Sequence, residues 1–449
     1  MLKKTLLFTT GLIIIFLSST LTRVDRTPYK ELNFYKKSIN EINQLLSKNH
    51  SPSIGDTLLI GFAQVNLTPS DLAPLAGYGN RRPKEMTGVH DSIYINTTVI
   101  YNGKNKIAIV SADLLIIPPE VTTLLREKLF NTAWSVPEVF LSATHTHSSL
   151  GGWAPGLVGN MIAGTYDAKY PEFIANRIVA SIQMAEKRLN TGAWSFNELS
   201  IPSLINNRLV GTQGITDPNL KLMALKSGMK EGVHVFYGAH ATCLSGKNKQ
   251  MSRDYPGVFS DWVVNNTPLD FAVYSAGAVA SMGPETGARA GFDRSQFIGE
   301  EMAKQVALIQ HFGFSYQNQL NLSFVRIPLF LRNPMLKISE NWALRPWVFN
   351  WAFGHSPLEI SMIQLNDLVM IGLPCDFSGE LAVELYAYAK SKNLNLILSS
   401  FNGGYAGYVP DDQWYDLEEY EPRSMSWYGY DNGAYFVEII KLLIDYSQP

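Results

Sequence analysis

The sequence predicts an α/β fold: one large domain with a layered mixed β-sheet and flanking helices, set after an N-terminal hydrophobic anchor. Three observations carry this. Short apolar runs of strand length alternate with longer helical patterns. The 449 residues are 46% hydrophobic and only 17% charged, which supplies a large core and argues against disorder. The polar residues best suited to chemistry each follow an apolar run, as they do where strands end at the carboxyl edge of a sheet.

The elements follow in order. Residues 105–115, "NKIAIVSADLL", read as a buried strand, and residues 120–134 as a helix. Residues 138–143, "EVFLSA", read as the next strand, and residues 170–189 as a long helix. Further strands are expected at 233–239, 269–277, 367–374 and 394–400, with a helix at 379–392 between the last two. No repeat or low-complexity tract interrupts them, so residues 57–449 read as one domain.

The N-terminus differs. Lys3 and Lys4 precede an uncharged apolar run from Thr5 to Thr22, and Arg23 follows. A basic start before such a run describes an export signal. The run is long enough to span a bilayer, and no small-residue cleavage site stands out. Residues 1–23 therefore read as a signal anchor, with a cleaved signal peptide as second choice. The lysines place the body outside the cytoplasm, periplasmic or extracellular, and cleavage would make it secreted. Residues 24–56 read as a polar tether. Within it, Leu32, Tyr35, Ile39, Ile42 and Leu46 share one side of a potential amphipathic helix.

The net charge of −2 offers no basic face, so nucleic acid is not an expected partner. The two cysteines, Cys243 and Cys375, form neither a disulfide framework nor a C-x-x-C metal motif. Either they meet in one bridge or each is a small buried thiol.

The chemistry-bearing residues form a pattern. "LSATHTHSSLGGW" sets His145 and His147 after one strand, and His240 follows "HVFYGA". Asp376 follows "MIGLPC", while Tyr405 and Tyr408 follow "LILSSFNGG". Two or three imidazoles, a carboxylate and a phenol at four strand ends would suit Zn²⁺, which takes nitrogen and oxygen ligands. Periodicity does not show that the ends converge, and H-x-H alone is equally a polar turn.

These motifs together resemble the neutral (non-lysosomal) ceramidase family of zinc-dependent amidases. "SATHTHSSLGG" is similar to that family's S-A-T-H-T-H-S-x-P-G-G, and "GFAQVNLTPSDLAPLAGYG" to its opening segment. "NNRLVG", "FYGAHAT", "IGLPCDFSGELA" and "NGGYAGYVPDDQWYDLEEYEPRS" resemble its later motifs in the same order. The resemblance runs from about Leu58 to the C-terminus. It implies His145, His240, Asp376 and Tyr408 as zinc ligands. It places His147 and Arg208 beside the metal, facing the substrate carbonyl, with His147 or Tyr405 delivering a proton to the leaving amine. Asp113 is expected either to orient a zinc histidine or to cap the segment after it.

The chain also departs from the family pattern. The family has Glu where this chain has Asp376, and Glu380, one helical turn on, is the fallback ligand. The family's serine-bearing N-x-G-D-V-S-P reads "SAGAVASMGPE" here, so the serine falls on Ala280, or on Ser281 with a one-residue gap. The family's C-terminal β-sandwich is not expected. The implied activity is zinc-dependent cleavage of an amide bond of an N-acyl lipid such as ceramide. Two alternatives stand beside it. One is a zinc hydrolase that uses activated water on another amide or an ester. The other is a membrane-anchored binding protein that keeps the fold without the chemistry.

Overall fold

The computed structural model describes Thr5, Thr9 and residues 18–48, 53–82, 84–130, 132–354 and 356–447. Two sheets face each other, and helices cover their outer faces. The larger sheet has eight strands, in the order Phe271–Ala276, Lys230–Tyr237, Asn219–Ser227, Asn190–Ser200, Leu59–Asn66, Tyr94–Tyr101, Lys106–Ala112 and Val139–Ala143. The pair at each end is parallel, and the pairs between them are antiparallel. The smaller sheet orders Ser53–Ile54, Asn321–Leu329, Leu358–Leu365, Leu368–Gly372 and Asn395–Ser399, and only its last pair is parallel.

The apolar runs read from the sequence are the strands of these sheets. Val139–Ala143 is buried at every position, which is why it reads as a continuous run rather than an alternating one. Ile60, Phe62, Phe140, Trp194 and Phe236 of the larger sheet meet Ile363, Met370 and Ile397 of the smaller in one apolar layer. Helices Pro119–Leu129 and Lys169–Lys187 cover one part of the larger sheet's outer face. Helices Asp254–Asn266 and Phe292–Phe312 cover another part. Gly379–Ser391 and Asn432–Tyr446 cover the smaller sheet. The Gly379–Ser391 helix starts where the Ser378 side chain accepts the Glu380 and Leu381 N–H groups.

Curling of the larger sheet positions the site. Its two edge strands come together through side chains: the Ser142 and Ser275 hydroxyls lie 2.7 Å apart, and Ser111 Oγ donates to the Tyr274 carbonyl at 2.6 Å. The carboxyl ends of Val139–Ala143 and Lys230–Tyr237, far apart in strand order, thus point to one region. The parallel pair of the smaller sheet ends there as well.

One expectation changes, one falls largely outside the described residues, and one pair of alternatives is decided. Residues 24–48, read as part of a tether, pack on the body instead. Helix Asn33–Lys48 buries Ile42 and Leu46 in the smaller sheet's outer core, and Tyr29 and Tyr35 both donate to Glu438. An amphipathic stripe gains more from docking than from solvent. The apolar run of residues 1–23 lies largely outside the described residues. Among those described, no helix is long and apolar enough to cross a membrane, and Leu21–Arg23 is a strand paired with Trp342–Leu344. Finally, Cys243 and Cys375 are both free and buried, packed in two different apolar cores, so no bridge joins them.

Candidate active site

His145 and His147 leave the Val139–Ala143 strand on adjacent turns of the chain. His145 has φ of 61°, a left-handed conformation that is strained for a side-chain-bearing residue and that recurs at functional sites. Its Nδ1 lies 2.7 Å from the Leu115 carbonyl. His147 Nδ1 lies 3.0 Å from the Gly77 carbonyl. Only glycine fits at 77: φ is +120°, and an added Cβ would stand 2.6 Å from His147 Cα. His240 Nδ1 lies 2.7 Å from the Val279 carbonyl and 3.2 Å from that of Met282.

A carbonyl only accepts, so each of these three Nδ1 atoms carries its hydrogen. Each neutral ring therefore presents an unprotonated Nε2, that of His240 within reach of the Arg208 and Tyr408 donors. Those nitrogens meet. His145 Nε2 and His147 Nε2 are 3.1 Å apart, and the ligand atoms of His145, His147 and His240 all lie within 4.8 Å of one another. Burial drives all three imidazoles down, His145 to about 3, so protons do not bridge them.

Asp376 joins the group. The two-residue strand Asp376–Phe377 pairs in parallel with Tyr408–Val409, which sets Asp376 beside Tyr408. Asp376 Oδ2 accepts the Tyr405 hydroxyl at 2.8 Å. Its Oδ1 is fully buried without a hydrogen-bond partner, 3.2 Å from His240 Nε2 and 3.5 Å from His145 Nε2. Burial pushes this carboxyl up, and His145 and Tyr405 pull it back. The Tyr408 hydroxyl is 3.1 Å from His240 Nε2. The lone pairs of His145 Nε2, His147 Nε2 and Asp376 Oδ1 face one another in a buried pocket, and a cation among them would relieve their repulsion. The donor set of imidazole nitrogens and carboxylate oxygen suits zinc. The carbonyls behind the Nδ1 atoms are the partners that metal-binding histidines use to fix the ring.

Arg208 completes the polar floor. Its Nη2 lies 3.1 Å from His240 Nε2 and 3.3 Å from the Tyr408 hydroxyl, while Nε pairs with Glu421 Oε1 at 2.8 Å. Burial works against this charge, but Glu421 and Tyr408 outweigh it and hold the guanidinium protonated. Glu421 is anchored in turn by the Ser281 backbone N–H at 2.7 Å and hydroxyl at 3.3 Å.

Above the floor opens a cavity of about 990 Å³, bordered by His145, His147, Arg208, Tyr405, Tyr408 and Glu421 and walled by Trp153, Phe349, Trp351, Phe353, Met425 and Trp427. It is deep, aromatic and polar at one end, the form of a site for a long apolar ligand with one reactive group.

The structure thus brings together His145, His147, His240, Asp376, Tyr405, Tyr408 and Arg208. Glu380 instead accepts the Trp414 indole N–H, 3.0 Å from Oε2, and touches none of the histidines. Ser281 is fully buried behind Glu421 and does not border the cavity, so its hydroxyl faces a carboxylate rather than a substrate. Ala280 packs in the cluster that holds Tyr408. Asp113 accepts the Tyr94 N–H at 2.9 Å, and a carbonyl rather than this carboxylate orients His145. Glu421 was missed as a functional residue. Its signal was present in "YEPRS", but nothing in the spacing tied it to Arg208, 213 positions earlier.

The chain is similar to known proteins. Residues 59–280 match the family model of the neutral/alkaline non-lysosomal ceramidase N-terminal domain. The neutral ceramidase of Pseudomonas aeruginosa is 25% identical over 203 residues, which are 41% of this chain and 30% of that protein. The chain therefore matches less than a third of that relative's length. The crystal structure of neutral ceramidase from Pseudomonas aeruginosa superposes over 88% of this chain and 75% of that one, with a TM-score of 0.76 at 19% identity. A ceramidase structure complexed with C2 gives a TM-score of 0.76 at 18% identity, over 88% of this chain and 76% of that one. Residues 59–280 thus match the N-terminal domain of the neutral/alkaline non-lysosomal ceramidase family, and the chain shares the fold of the solved ceramidase structures.

Proposed function

We propose that this protein is a zinc-dependent amidohydrolase that cleaves the amide bond of an N-acyl lipid such as ceramide. The observation that supports it most is the cluster of three unprotonated Nε2 atoms and an unpartnered Asp376 Oδ1 at the floor of an aromatic cavity. His145, His240, Asp376 and Tyr408 would hold the ion. Zinc there supplies Lewis acidity toward the carbonyl and lowers the pKa of water to about 7.

The chain's own residues do the rest. Tyr405, whose phenol burial keeps protonated, donates to Asp376 Oδ2 and leaves Oδ1 turned to the histidines. Arg208 offers a fixed positive charge where a carbonyl oxygen would become an oxyanion. His147 is the most open of the three imidazoles and borders the cavity. Its bare Nε2 is placed to take a proton from the attacking water and pass it to the leaving nitrogen. The aromatic walls would hold the acyl and amine-side chains out of water.

A second reading rests on Ala280. Where the family pattern carries a serine, this chain has a methyl group packed with Tyr408, and Ser281 points elsewhere. A substrate other than ceramide, another amide or an ester, follows if that serine selects among substrates. The test is metal analysis of the purified chain together with hydrolysis of ceramide, short N-acyl amides and matched esters, before and after chelation. Zinc at one per chain and chelator-sensitive ceramide cleavage are expected. A chain that takes up no zinc and cleaves no amide would overturn the proposal, and ester-only cleavage would establish the second reading. Export and membrane anchoring through residues 1–23 belong to the same proposal, tested by locating the full-length chain after fractionation.

A further inference from the structure

The cavity mouth carries apolar residues in the wrong place for a water-facing rim. Two eight-residue helices, Gly156–Ala163 and Pro346–Phe353, pack against each other there and line the cavity with their inner sides. Their outer sides are also apolar. Leu157 and Met161, four apart on the first, are 54% and 46% exposed, and Trp347 on the second is 55% exposed; Trp351, which also borders the cavity, is 70% exposed. The second helix reads "PWVFNWAF", with Asn350 as its one polar side chain. A helix apolar on every side is normally surrounded by protein or lipid. Clustered exposed tryptophans mark surfaces that meet a partner or a bilayer interface.

A second observation selects the partner. The uncharged apolar run Thr5–Thr22 leads into this same face. Trp347 Nε1 donates to the Ser19 carbonyl at 2.9 Å, Arg345 Nε donates to the Ser18 carbonyl at 3.2 Å, and Leu21–Arg23 pairs with Trp342–Leu344 directly before the second helix. The described end of that run, from Ser18 to Thr22, thus meets the second helix and the strand before it at the cavity rim.

We infer that the face formed by these two helices is a bilayer-docking surface that sets the cavity mouth against the membrane, so that an acylated substrate passes from lipid into the cavity without crossing water. The inference rests on the lipid-hydrolase reading above for its substrate, but its own readout is vesicle binding. Interfacial helices bind in proportion to the apolar area they bury in the headgroup region.

The test uses the full chain and phosphatidylcholine vesicles with and without ceramide. The variant Leu157→Ser/Met161→Ser alters only outward residues that do not line the cavity, and Trp347→Ser is made separately. Each is measured for vesicle cosedimentation, for hydrolysis of vesicle-borne ceramide, and for hydrolysis of a short water-soluble N-acyl amide. Vesicle partitioning and vesicle-substrate turnover are expected to fall at least about tenfold (about 1.4 kcal/mol), with soluble-amide turnover unchanged. Wild-type partitioning by both variants would overturn the inference and assign membrane binding to residues 1–23 alone. A loss of self-association without a loss of vesicle binding would overturn it in favour of a contact between two copies. If the wild type binds vesicles through this face but cleaves no amide, the docking surface stands and the hydrolase reading fails.

Discussion

The floor and the mouth of the cavity break the usual partition of residues in opposite directions. At the floor, His145, His240 and Asp376 are polar or charged and cut off from bulk water. At the mouth, Leu157, Met161, Trp347 and Trp351 are apolar and exposed. Each arrangement costs stability unless something outside the polypeptide compensates: a cation for the floor, an apolar phase for the mouth. The two differ in how firmly they are held. The floor histidines are fixed by four backbone carbonyls from three chain segments, at Gly77, Leu115 and Val279 with Met282. On the outer side of the mouth helices Trp347 donates to the Ser19 carbonyl, while the side chains of Leu157 and Met161 carry no polar atom that could be anchored. Chemistry demands placement within a fraction of an ångström, whereas contact with a fluid surface demands only area.

The largest effect should come from breaking the floor. His145→Ala or His240→Ala is expected to leave no bound zinc and to cut amide hydrolysis by at least about 10³-fold. Metal content by elemental analysis checks the first part and turnover the second; full zinc occupancy in both variants would remove these residues from the site. Next in size is Glu421→Gln. Arg208 would keep its charge but lose the partner that orients it, so turnover should drop about 10- to 100-fold with zinc retained. Loss of the metal along with the activity would instead make Glu421 part of the ligand shell.

Ser281→Ala should matter far less, within a few-fold in turnover, because the backbone N–H still anchors Glu421. Abolished turnover in a folded, zinc-loaded variant would make the serine a nucleophile after all.

The smallest effect concerns a buried acid outside the floor. Burial raises Asp113 to about 7, against an ordinary value of 3.8, with Arg253 pulling back. Between about pH 4 and 7 the folded chain therefore binds more protons at this group than the unfolded chain. Its contribution to stability is present at low pH and is lost as pH rises through 7. Asp113→Asn removes the titration, so the variant should gain more melting temperature relative to wild type at pH 8 than at pH 5. An equal difference at both pH values would sink this account.

Much of the site was legible because it follows strands. "VFLSATHTH", "VFYGAH" and "MIGLPCD" each announce a buried strand by composition and then a polar residue where the strand must stop. Local sequence therefore determined the α/β class, the positions of most strands and helices, and His145, His147, His240, Asp376, Tyr405 and Tyr408 as candidates. It could not determine that six of those groups share one point. That required the eight-stranded sheet to curl until Ser142 met Ser275, a result of twist accumulated over strands scattered along some 200 residues. The choice of Asp376 over Glu380 was likewise tertiary. The two carboxylates are one helical turn apart in sequence, but the pairing of Asp376 with Tyr408 turns one toward the histidines and leaves the other with Trp414. Cys243 and Cys375 make the same point: each neighbours a residue of the site, yet the backbone turns their side chains into different cores. Helix Asn33–Lys48 was readable as amphipathic, but whether its stripe stayed wet or docked depended on an apolar face formed by Asn321–Leu329. Sequence periodicity specifies which side of an element is apolar; only the assembled neighbours specify what that side meets, because burial is a property of pairs of surfaces and not of one.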